Sequence, residues 1–380
     1  MPPLEGILIL DSAHQYPGPY CSMLLGDLGA EVIKIERPDG GDPTRSIPWP
    51  GFFRALNRNK RSLTLDLKRP EARGVLLKLA ARADVFTEGF RPGVAGRLGI
   101  GYDTLAAANP RLVYCSITGY GQDGPYRDLP GHDLSYLGMA GILDRLRDGV
   151  GDPVVPGIAA ADLSSGMFAA LGILAALTAR EKTGRGQYLD VSMFDGLVSW
   201  MGVALGLYFD RGDRKRGVMA GYGVYRAGDG RHVTISITHE DWFWDRLCDA
   251  LGLDGYRGIG AGDRITRGEE LDGALRALFA TRPAREWVEI LEKADVPVSP
   301  VKSVGEVADD PHVRARGMLE EVALPGGEIS RQASFPVRLS ETPASIRRPP
   351  PSLGEHTDEI LAWLGYDRDG IDDLRRKGAL

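Results

Sequence analysis

The chain has 380 residues, with 46 Lys and Arg against 52 Asp and Glu and a net charge of -6. That length suits two ordinary domains or one large domain with an insertion, and the mild acidity without a basic block excludes nucleic acid as the main partner. Three cysteines, Cys21, Cys115 and Cys248, lack metal-ligand spacing and suit a reducing compartment, so the cytoplasm is the expected location.

The opening MPPLEGILILDSAHQ has neither the basic flank nor the long apolar core of a secretory signal and reads as the start of a domain. GILILD predicts a strand, YPGPY a turn, CSMLLGDLGA a helix and EVIKIERP a second strand, which together make a parallel βαβ unit. RSLTLDLK, the proline-opened helix PEARGVLLKLAARA, DVFTEGF and RLVYCSITGYG continue the rhythm, so the expected fold is α/β with helices on a mostly parallel sheet. AADLSSGMFAALGILAALTAREKTG predicts one long helix ending at Gly184. Its longest apolar run, residues 167–179, falls short of the roughly 20 residues that span a bilayer, so no membrane partner is expected.

DRGDRKRG, residues 210–217, is charged and glycine-punctuated and predicts a linker. The expected organisation is a large unit over 1–209, a linker over 210–222, a small α+β unit over 223–330 and a return to the large unit over 331–380. Within the small unit, GVYRAGDGRHVTISI predicts a hairpin with a GDG turn, and HEDWFWDRLCDALGL a helix packed by Trp242, Phe243 and Leu247. Helices at 268–282 and 285–294 follow, and a proline-rich stretch leads into a closing helix.

GYGQDG, residues 119–124, fits G-x-G-x-x-G after a strand, but Pro125 and a polar loop follow instead of a helix, which removes the helix N-terminus a pyrophosphate would need. There is no P-loop, HExxH or CxxC pair, so no metal is expected. Asp162 stands near the start of the long helix, where an N-cap is the plainer reading. Asp133 reads as a cap for LSYLGMAGIL with His132 as its neighbour in the turn, and Glu240 as a first-turn acid. Spacing alone does not assign these residues chemistry.

Six strings in order, GDLGAEVIKIERP (26–38), NRNKRSLTLDLK (57–68), ADVFTEGFRPGV (83–94), GYGQDGPY, EKTGRGQYLDVSMFDG (181–196) and LGEHTDEIL (353–361), resemble the family III coenzyme A transferases of the CaiB/BaiF type. The resemblance implies two interlocked chains, each with a Rossmann-like large domain built from both chain ends and a small domain between. It also implies an acyl-CoA substrate and no cofactor beyond the CoA moiety of that substrate.

In the transferases of this family an aspartate at the position of Asp162 attacks the acyl thioester; in the α-methylacyl-CoA racemases it acts as a base, joined by a histidine in a GHD-x-x-YL context and a glutamate opening a small-domain helix. His132, Asp162 and Glu240 match the racemase pattern, and Tyr16 stands where formyl-CoA transferase-like enzymes carry a glutamine, with Gln15 adjacent but out of register. The resemblance therefore implies inversion of the α-carbon of a 2-methylacyl-CoA through an enolate, with CoA transfer by Asp162 as the alternative. The amides around Ser164–Gly166 are the expected enolate cradle. The CoA contacts implied are Arg37, Leu65, Lys68, Gly89, Phe90, Arg91, Arg97 and Leu98, since guanidinium groups suit phosphates and an apolar slot suits adenine.

Overall fold

The structure is a computed structural model that describes residues 1–148, 151–212 and 218–380. The core of the predicted linker, residues 213–217, lies outside the described residues. Two compact units are present: Met1–Gly206 with Arg316–Leu380, and Leu207–Ala315 between them in sequence.

The first unit is built on six strands, β1 (Leu8–Asp11), β2 (Glu31–Glu36), β3 (Lys60–Thr64), β4 (Val85–Glu88), β5 (Val113–Thr118) and β6 (Tyr188–Ser192), all parallel in the order β3-β2-β1-β4-β5-β6. This is the doubly wound order expected of a Rossmann-like sheet. A parallel sheet is covered on both faces, which is why β5 is buried along its whole length. On one face, Leu10, Ile33, Leu63 and Phe86 pack with the Pro70–Ala80 helix and with Ile360, Leu361 and Leu374 of the Thr357–Trp363 and Arg368–Arg376 helices. On the other, Ile9, Val32, Val113 and Cys115 pack against the Pro17–Asp27 and Ala160–Thr183 helices.

The Ala160–Thr183 helix is longer than its apolar run suggested: its 24 residues are apolar enough to cross a membrane by length and composition, yet Ala169, Ala170, Ile173, Ala176 and Leu177 are buried in the core of the unit. Gly184 ends it in a left-handed conformation, φ 70°, as the sequence predicts. Gly166 lets it approach the Pro17–Asp27 helix, because a Cβ there would lie 2.7 Å from the Pro17 carbonyl oxygen. The hairpin β10 (Leu319–Ala323) with β11 (Ile329–Ala333) belongs to the first unit, so the return begins at Arg316 instead of 331. Arg54 pairs with Glu328, and the Arg58 Nη1–Gln332 Oε1 bond of 3.4 Å also ties this hairpin to the first unit.

In the second unit β7 (Tyr222–Arg226) and β8 (His232–Ser236) form the predicted hairpin, and β9 (Val298–Pro300) adds an antiparallel edge. The Asp241–Leu251 helix is anchored by Trp244, Leu247 and Cys248; Trp242, expected in the core, is 56% exposed. A buried face at i, i+3, i+4 selects the later tryptophan, whose indole N–H also donates to the Tyr256 carbonyl at 2.8 Å.

Candidate active site

In an open parallel sheet, loops leaving adjacent strands in opposite directions open a crevice at the strands' carboxyl ends. Here β1 and β4 are neighbours, β1 continuing toward β2 and β4 toward β5. A cavity of about 700 Å³ occupies that place, lined by Ala13, His14 and Gln15 after β1 and by Gly89, Phe90 and Arg91 after β4. Arg97, Arg127, His132, Tyr136 and Asp162 complete its polar wall. A slot of about 130 Å³ follows the ends of β2 and β3, lined by Arg37, Leu65, Lys68, Phe90 and Leu98. His14 and Phe90 border both spaces, their ring centroids 6.2 Å apart.

All eight residues expected to hold CoA thus fall on these two adjoining spaces: Gly89, Phe90, Arg91 and Arg97 on the cavity, and Arg37, Leu65, Lys68, Leu98 and again Phe90 on the slot. Leu65 is buried, and Arg37 donates its Nε–H to the Gly41 carbonyl at 3.3 Å. Among the described residues, Arg91, Arg97 and Arg127 pair with no carboxylate, which leaves three guanidinium groups of one cavity available to an anion. Phe90 is set by Glu88, whose Oε2 accepts the Phe90 amide at 2.6 Å and whose other oxygen accepts the Ser116 hydroxyl.

Asp162 is not the N-cap that local sequence suggested. Its helix starts at Ala160, and the Asp162 side chain has no hydrogen-bond partner among the described residues and faces the cavity. Burial, and next the charge of Asp133, push its carboxyl up to about 7. Asp133, expected to cap its own helix, instead opens the Asp133–Met139 helix at its first position and reaches across to the other one. Its Oδ1 accepts the amides of Ala161 at 2.6 Å and Asp162 at 3.3 Å. His132 is the N-cap residue of the shorter helix, its backbone N–H donating to Ser135 Oγ at 3.4 Å. Neighbours in sequence therefore serve two helices.

The expected enolate cradle at Ser164–Gly166 is absent. Those amides lie beyond the first turn, where N–H groups bond within the helix. The first-turn amides are also taken, Ala160 by the Ile158 carbonyl, Leu163 by Ala159, and Ala161 and Asp162 by Asp133.

Glu240 belongs to the Leu207–Ala315 unit, where it is the N-cap residue of the Asp241–Leu251 helix, one position earlier than a first-turn acid. Its Oε2 accepts the Thr238 amide at 3.0 Å and the Thr238 hydroxyl at 2.8 Å, and these bonds hold its carboxyl below the usual range.

Sequence reasoning missed His14, set Gln15 aside as out of register, and missed Arg127 and Tyr136, and all four line the cavity wall. The first two were findable, since residues following β1 at a reversal of strand order are where a doubly wound sheet binds ligands. Gln15 has φ 66°, a left-handed conformation that costs a non-glycine residue about 1–3 kcal/mol and that clusters at functional sites.

A family model described as CoA-transferase family III matches residues 4–357. The chain is 36% identical to the β subunit of succinyl-CoA–L-malate CoA-transferase of Chloroflexus aurantiacus, covering 99% of this chain and 97% of that protein. It is 35% identical to succinyl-CoA:glutarate CoA-transferase of Mus musculus, covering 100% and 91%. Among solved structures, a CaiB/BaiF family protein from Brucella suis superposes with a TM-score of 0.84 at 32% identity, covering 96% of this chain and 99% of that one.

Proposed function

Because the chain belongs to CoA-transferase family III, we propose that it moves coenzyme A from an acyl-CoA thioester to a free carboxylic acid, with Asp162 as the nucleophile. The observation that carries this reading is the Asp162 carboxyl on the wall of a cavity that three arginines also line, all four without an ion-pair partner among the described residues. The relatives named above are CoA-transferases, which favours acyl transfer over the α-proton transfer implied by His132, Asp162 and Glu240. The occupied amides of the long helix point the same way, since no enolate cradle is available there.

The steps balance without a metal or redox partner. A carboxylate oxygen of Asp162 attacks the thioester carbonyl and expels CoA thiolate, giving a mixed anhydride. The thiolate attacks the Asp162 carbonyl carbon, releasing the donor acid as its carboxylate and leaving CoA as a thioester on Asp162. The acceptor carboxylate then attacks that thioester, and the freed thiolate takes the acceptor acyl group, restoring Asp162. Adenine would occupy the Leu65–Leu98 slot and the phosphates the adjoining Arg37, Arg91 and Arg97.

Both named relatives work on dicarboxylic acids, and Arg127, a further unpaired cation of the cavity, supports a small dicarboxylic acid as acceptor here. Incubation with succinyl-CoA and hydroxylamine or borohydride tests the reading. The expected result is an adduct on Asp162 and CoA transfer to glutarate or malate in preference to monocarboxylic acids. Deuterium wash-in from D2O at the α-carbon of a 2-methylacyl-CoA, without any Asp162 adduct, would overturn it.

A further inference from the structure

Gln15 needs something to keep it left-handed, and one buried ion pair does so from both ends of its turn. Lys34, at the carboxyl half of β2, and Asp42, in the loop after it, are each 0% exposed and pair at 2.9 Å. Lys34 Nζ donates to the Ala13 carbonyl at 3.1 Å. Asp42 receives the Gln15 amide on both oxygens, at 3.3 and 3.2 Å. One pair therefore grips the carbonyl before His14 and the amide after it. Asp42 is itself fixed by the Thr44 amide at 2.9 Å and by its own N–H donating to Glu36 at 3.0 Å. The turn is confined from outside too, because Gly18 approaches so closely that a Cβ there would lie 2.1 Å from Ala13 Cβ. His14, in the middle, is the residue after β1 that borders both the Asp162 cavity and the Leu65 slot.

We propose that the Lys34–Asp42 pair is a positioning clamp that fixes the Ala13–Gln15 turn as the joint between the two spaces, and so sets the register between a substrate's adenine end and its thioester. The inference rests on the reading above, in which one CoA thioester fills both spaces. A substrate anchored at the slot converts binding energy there into alignment at Asp162, and misalignment of about 1 Å costs on the order of a hundredfold in rate. A short thioester that never reaches the slot has no such register to lose.

The test compares succinyl-CoA with succinyl-N-acetylcysteamine in the full-length protein, using the paired variant Lys34→Met/Asp42→Leu, which removes the donor to the Ala13 carbonyl and the acceptor of the Gln15 amide without stranding a buried charge. Folding is checked by circular dichroism, and Asp42→Ala alone, which removes the acceptor of the Gln15 amide, serves as the second variant. The expected result is a fall of about tenfold to a hundredfold in kcat/KM for the CoA ester, carried by kcat more than by KM, and less than threefold for the short thioester. Adding Gln15→Gly, which adopts φ 66° without strain, should recover part of the CoA-ester rate. Equal losses on both substrates, the signature of a merely structural role, or no loss on either, would overturn the clamp. If the unaltered protein itself turned over the two thioesters alike, the assignment of the slot to CoA would fail instead, and the clamp with it.

Discussion

Asp133→Asn isolates the charge that acts on Asp162. The asparagine keeps a carbonyl oxygen for the amides of Ala161 and Asp162, so the helix start stays capped while the negative charge is lost. Asp162 stands at about 7 against an ordinary 3.8, with burial the larger cause and Asp133 the second. As the second of two causes Asp133 supplies the smaller part of that rise, and each downward move of about 1 pH unit is equivalent to about 1.4 kcal/mol. Nucleophilic attack needs the carboxylate, so kcat/KM should rise with pH along an acid limb centred near 7. At pH 6 about one molecule in eleven is then ionised; moving the limb down by about 1 unit ionises about half, a gain of roughly fivefold. Above pH 8 the two proteins should converge. The assay is the pH dependence of kcat/KM for CoA transfer from succinyl-CoA between pH 5 and 9. An unmoved acid limb, or a variant slower at pH 6, would refute the assignment of Asp133 as the charge that tunes Asp162.

Asp162→Asn should abolish transfer and stabilise the fold in alkali. The folded value of about 7 lies above the ordinary 3.8, so the acid form is favoured in the folded chain and stability is lost as pH rises through about 7. The variant should gain up to about 4 kcal/mol at pH 8 and nothing at pH 3.5, read from urea midpoints at both values. Gly166→Ala tests the helix crossing. In an isolated helix the change helps by about 1 kcal/mol, but here the added methyl meets the Pro17 carbonyl oxygen at 2.7 Å, so a net loss of about 1–3 kcal/mol is expected in the same assay.

The sheet was legible because parallel strands buried on both faces leave continuous apolar runs, and turn residues separate them cleanly. The Arg368–Arg376 helix escaped because only Ile371 and Leu374 of its nine residues are buried, too few to set a period. The same limit misplaced the tryptophan anchor: Trp242 and Trp244 stand two apart, and only tertiary packing chooses between them. Asp162 and His132 were found through motifs, and their placement on one cavity wall depends on the connection between β5 and β6, residues 119–187, that no local pattern resolves. Asp133 shows the reason most plainly. A side chain next to a helix start reads as that helix's cap, whereas its actual partners are 28 and 29 residues away.

Residues 345–379 are stitched into the middle of the sheet's first half. Asn59 donates its amide to the Arg348 carbonyl at 3.0 Å, Asp66 to Ala379 at 2.9 Å, and the Thr64 amide to Thr357 Oγ1 at 3.2 Å. Contacts of such sequence separation form slowly, because the intervening chain must be closed first. During synthesis the outer face of β2 and β3 therefore waits, its Ile33 and Leu63 lacking the C-terminal part of their cover, while the contiguous Leu207–Ala315 segment has all its own core residues to hand. The polypeptide thus emerges with its middle ready to fold before its beginning. This exposes an apolar sheet face to chaperones, or to other nascent copies, for as long as the ribosome takes to finish.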